Sequence, residues 1–139
     1  MHVAALLVAG SANIDDSAID ATRVPITSYE VNQTPVWLTV PLVLVVHAPS
    51  GGDFDPELFI VCKDPGGTIR GTVRSAWQWP DEDKPSKYRC FTPQLSFAIE
   101  TTGEYTIGAY QDAEALKPIA TPIPLMINMA GGRPGRNGS

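Results

Sequence analysis

The stretch "TTGEYTIGAY", residues 101–110, is where the fold is decided. A glycine at 103 lets the chain turn sharply, because it accepts backbone angles that side chains forbid. After it Tyr105, Ile107 and Ala109 alternate with more polar neighbours, the period of a strand with one buried face. A tyrosine two residues past the glycine packs its ring inward and returns its hydroxyl to the backbone of the 100–104 turn. That is the tyrosine corner of Greek-key β-sandwiches.

The same period extends outward in both directions. In 88–99, Phe91, Pro93, Leu95, Phe97 and Ile99 point one way, with Thr92, Gln94 and Ser96 opposite. In 68–79, Ile69, Val73, Trp77 and Trp79 share an inner face, and Thr68, Arg70, Thr72, Arg74 and Gln78 an outer one. Strands are expected near 2–9, 23–31, 36–47, 57–63, 68–79, 88–99, 104–110 and 118–128, with a short hairpin around "DDS" inside 10–22. Turn chemistry separates them: "DPGG" at 64–67 presets φ with Pro65 and accepts positive φ at glycine. Thirteen prolines and twelve glycines fall between these runs, the punctuation of an all-β chain. No helical stripe escapes a proline or glycine; "DAEALK", 112–117, reads as a hairpin loop. Pro122 and Pro124, two apart, lack donors on one side of their strand and mark that side as a free edge. Pro41 interrupts the most apolar strand, which is therefore an edge or bends there to switch sheets. The sandwich is expected over 1–129, with a flexible tail over 130–139.

A chain of 139 residues, 43% hydrophobic and 18% charged, supports one core of its own. The net charge is −5, and two basic residues, Arg133 and Arg136, lie in the tail. Residues 1–130 thus hold eight basic against fifteen acidic side chains, a net of −7. Phosphate binding needs clustered Lys and Arg, so no nucleic-acid partner is expected. The apolar start reads as a first strand, without the basic region of a signal peptide. The run "PVWLTVPLVLVVHAP" is too short to span a bilayer, so no membrane partner is expected either. Cys62 and Cys90 make neither a disulfide framework nor a zinc site, and a cytoplasmic setting with reduced thiols follows.

Catalytic chemistry finds little support. There is no Gly-x-Ser-x-Gly, His2 is terminal, and His47 closes an apolar strand with no triad around it. Cys62 reads as a small core residue. Asp53, Asp55 and Glu57 form one acidic loop and Asp81, Glu82 and Asp83 another. Calcium needs about six to eight oxygens, and neither loop has the spacing of a calcium motif. No metal and no cofactor are expected. Arg70 and Arg74 share a face where a small anion or a carboxylate partner would dock, although a solvated face is the plainer reading. Trp77 and Trp79, beside Pro80, would make an aromatic platform, but their parity places them in the core.

Some segments resemble a bacterial family of short proteins of unknown function. They are "ALLVAGSA" (5–12), "LTVPLVLVVH" (38–47), "VCKDPGG" (61–67) and "TTGEYTIGAYQDAEALKPIATPIPLMI" (101–127). The resemblance implies an immunoglobulin-like antiparallel β-sandwich of about eight strands with little or no helix, and it implies no activity.

The leading expectation is a non-enzymatic binding or assembly module. A small-ligand binder with a pocket at a subunit interface comes second, and a phage or particle accessory protein third. The strand 36–47 singles out a surface. Val36, Leu38, Val40, Leu42, Leu44 and Val46 fill one face, and Trp37, Val43 and Val45 occupy the other with Pro41. One core needs only one apolar face. The N-terminal strand covers the surplus, or a second copy does. A homodimer with Trp37 or Val43 near its centre is expected, with a protein partner as the other occupant.

Overall fold

The computed structural model describes residues 2–16, 18–49, 56–77 and 86–130. They are all-β, with eleven strands in three sheets and no helix. The first sheet holds β1 (His2–Val8), β5 (Val36–Pro49), β8 (Ser86–Phe91) and β9 (Gln94–Ile99). The second runs β4 (Ser28–Val31), β11 (Ile123–Met129), β10 (Gly103–Tyr110), β6 (Glu57–Lys63) and β7 (Ile69–Ala76). The third is a hairpin, β2 (Ser11–Asp15) with β3 (Ala18–Thr22).

The two large sheets share one core. Val40, Leu42, Leu44 and Val46 of β5, with Leu95, Phe97 and Ile99 of β9, meet Leu58, Ile60, Tyr105, Ile107, Leu125 and Ile127 of the second sheet. All of these are fully buried, the expected result of period-two alternation on facing sheets. Tyr105 behaves as expected: it has no exposure, and its hydroxyl donates to the Thr101 carbonyl at 2.6 Å. Gly103 sits at φ +135°, where a Cβ would also stand 2.9 Å from Pro65 Cγ.

The strand count exceeds the expected eight for identifiable reasons. The 88–99 strand is cut at Thr92 and Pro93, yet its register is unbroken, with Leu44 facing Phe91 and Pro41 facing Gln94. Leu42 donates to the Pro93 carbonyl at 2.9 Å, but proline has no N–H to return. The hairpin around "DDS" forms and adds two more strands.

Three expectations are refined. β5 does not switch sheets; β1 flanks it only over Leu42–His47, and over Val36–Pro41 it pairs with β9 alone and is an edge, with Pro41 where β1 ends and β9 gives way to β8. The side of β11 marked by Pro122 and Pro124 is not free, because β4 pairs there in parallel from Met126, whose amide donates to Thr27. The prolines only delay that pairing, and the structure is therefore not wholly antiparallel. Ile69 is 39% exposed rather than inward. The β6–β7 register slips between Cys62–Gly71 and Lys63–Ile69, so Arg70 is an extra residue and Ile69 turns to the outer face. The Ala130 amide donates to the Val31 carbonyl at 2.7 Å. Residues 131–139 lie outside the described residues.

Candidate functional site

The outer face of β5 carries Trp37, Thr39, Pro41, Val43, Val45 and His47, all alternate to the core residues. Leu7 and Ala5 of β1 stand opposite Val43 and Val45, and Cys90 and Tyr88 of β8 stand opposite Val45 and His47. Paired residues share a face, so three strands lay an apolar floor. His2, His47 and Tyr88 close one end, with ring centroids 6.3 Å and 4.7 Å apart in succession.

The N-terminal strand does not cover this floor. It pairs edge to edge with β5 and widens the sheet. The β2–β3 hairpin covers part of it instead. Ala18, Ile19, Ala21 and Val24 stand beside Val43, Val45, Tyr88 and Cys90 around an apolar groove of about 500 Å³ that is open to solvent, with Tyr88 66% exposed. The three residues expected at an interface are thereby divided. Val43 and Val45 are half-buried beneath the hairpin. Trp37 is 69% exposed, six residues along the strand from Val43 and so about 20 Å away. A rung between Thr39 Oγ1 and Ser96 Oγ at 2.7 Å lies between them. The hairpin was legible in the symmetry of "SANIDDSAIDAT", with Ile14 opposite Ile19; the face on which it lies was not.

The residues expected to bind an anion stand apart. Arg70, displaced by the bulge, holds Asp64 through Nε at 2.9 Å and Glu100 through Nη1 at 3.2 Å. Arg74 stays on the outer face and pairs with Glu57 at 2.7 Å. Each guanidinium is thus engaged by carboxylates of its own chain. Asp64 also accepts the amides of Gly66 and Thr68, both at 2.9 Å, which locks the "DPGG" turn. Trp77 is core, 7% exposed, with its ring 5.0 Å from that of Phe91. Trp79 and Pro80 lie outside the described residues, as do Asp53, Asp55 and Asp81 to Asp83.

Cys62 is fully buried, and burial, reinforced by the nearby Asp64 charge, pushes its thiol up to about 12. A thiol so placed is a poor nucleophile. Cys90 is half-buried in the groove floor. Among the described residues no three His, Cys, Asp or Glu stand together as a metal site, and no helix is long and apolar enough to cross a membrane. Comparison with known protein families, with curated proteins and with solved structures finds no match.

Proposed function

We propose that the chain is a non-enzymatic binding or assembly module on an immunoglobulin-like sandwich, and that it forms a homodimer through the uncovered end of its outer face. The strand order supports the immunoglobulin-like reading. The N-terminal strand β1 begins in one sheet, and the later β4 lies parallel to the last strand of the other. The penultimate strand carries the tyrosine corner. The same arrangement accords with the likeness to the bacterial family of short proteins.

The observation that carries the functional reading is Trp37, 69% exposed on the part of β5 that pairs with β9. A large aromatic held on rigid backbone loses little freedom on binding, and tryptophan is enriched where interfaces concentrate their energy. The acidic balance favours a protein surface over nucleic acid as the other occupant. The free thiols Cys62 and Cys90 suit a cytoplasmic setting.

Sedimentation equilibrium at tens of micromolar tests this. Wild type is expected as a dimer. Trp37→Ala should weaken association by more than about tenfold, with an unchanged far-ultraviolet spectrum. A wild type that stays monomeric throughout that range removes the reading.

A further inference from the structure

The first residues of β5 have one open side. β1 stops at Val8, and Ala9 donates to the Pro41 carbonyl at 3.0 Å. Before that bond, Val36–Val40 pairs with β9 and with no other described strand. Successive backbone groups of a strand point to opposite sides. Leu42 donates towards Pro93 at 2.9 Å, whereas Pro41 accepts from the β1 side. Val36, Leu38 and Val40 therefore bond to β9, and the N–H and C=O of Trp37 and Thr39 face the open side. Among the described residues no backbone group pairs with them. We infer that this edge pairs with the same edge of a second copy, antiparallel about a two-fold axis, with Leu38 opposite Leu38 of the partner subunit. The inference rests on the dimer proposed above and states how its strands meet.

Register selects this pairing. Pro35 and Pro41 lie at equal spacing on either side of Leu38, and proline has no donor. Pairing Trp37 with the partner's Trp37 sets Thr39 against the partner's Pro35 and leaves the Thr39 carbonyl without a donor. Pairing Thr39 with the partner's Thr39 sets Trp37 against the partner's Pro41, whose carbonyl Ala9 already holds. With Leu38 on the axis, Trp37 meets the partner's Thr39, and each of these residues both donates and accepts. The length fits as well. Val40 then faces the partner's Val36, the first residue of β5, and Ala9 holds the next position. Paired residues share a face, and diagonal neighbours stand about 7–8 Å apart, so the two Trp37 indoles reach each other across the axis. No Asp, Glu, Lys or Arg occurs from Val31 to Pro49, so this edge lacks the charges that keep exposed strand edges apart. The pairing uses the same edge in both copies and closes at two.

Amide hydrogen exchange, followed by NMR, reads the pairing residue by residue. Trp37 and Thr39 are expected to exchange about tenfold or more slowly in the dimer than after dilution to the monomer. Leu38, bonded towards β9, should be protected in both. Thr39→Pro removes one donor on the open side, where a strand tolerates proline, and it keeps Trp37. It should weaken association by more than about tenfold in sedimentation equilibrium. Thr39→Val loses the same hydroxyl contact with Ser96 but keeps the amide, and it should associate like wild type. A dimer whose Trp37 and Thr39 amides exchange as fast as in the monomer overturns the edge pairing and leaves the dimer standing. A folded Thr39→Pro variant that associates like wild type does the same; if that variant does not fold, the wild-type exchange decides. Slow exchange at every concentration assigns the edge to a segment of the same chain and overturns the pairing. A wild type that is monomeric throughout leaves the edge to a strand of another protein and overturns pairing and dimer together.

Discussion

The Tyr105 hydroxyl makes its bond to the Thr101 carbonyl from a site with no exposure. Tyr105→Phe leaves that carbonyl without its donor and should cost about 1 kcal/mol or more, read from urea denaturation; a neutral substitution would take the corner out of the stability argument. Asp64 works through charge. The Thr68 amide holds its carboxyl below the usual carboxylate range, with Arg70 and the Gly66 amide adding to the effect and burial opposing it. A carboxylate whose folded pKa lies below its unfolded value stabilises the fold above that unfolded value, about 3.9. The contribution disappears as pH falls through the lowered folded value. Asp64→Asn should therefore be less stable than wild type at neutral pH, and the gap should close below about pH 4. A gap of equal size at about pH 2.5 would trace the loss to something other than ionisation.

Between elements, Gly71 sets how closely the two large sheets approach at their margin. A Cβ there would collide with the Ser96 carbonyl oxygen and would stand 2.8 Å from Phe97 Cβ. β7 and β9 are thus in contact backbone to backbone, with no room for a side chain. Gly71→Ala should cost about 1–3 kcal/mol, the usual scale of overpacking, and lower the melting temperature by several degrees. Gly66→Ala is the control, since a Cβ there meets only Asp64 Oδ1 at 3.5 Å. Equal melting temperatures for the two variants would show that the margin yields freely.

For the whole molecule, charge and apolar surface act in opposition. The net charge is −5, so two copies would repel, and the proposed dimer would be held by short-range apolar contact around Trp37. Salt screens the repulsion and leaves the apolar contact in place. The proposed dimer should therefore tighten as sodium chloride rises from about 20 to 300 mM, measured by sedimentation equilibrium. Weakening over that range would point to ion pairs at the interface and away from Trp37.

Local chemistry by itself determined the class of the fold and much of its detail. Tyr105 and Gly103, the "DPGG" turn and the inward set Leu95, Phe97 and Ile99 were all legible, because turn geometry and side-chain parity act over two to five residues. Parity also placed Trp37, Val43 and Val45 on one face. It misplaced Ile69, because a bulge is set by the partner strand and leaves no mark in the alternation. Proline spacing located missing donors at 122 and 124, but β4 closes that edge from a hundred residues away in the chain. The fate of the surplus apolar face was decided only in three dimensions. The "SANIDDSAIDAT" hairpin comes to lie over Val43 and Val45 and leaves Trp37 bare, because burying those valines is a contact between segments whose own periods are silent about each other.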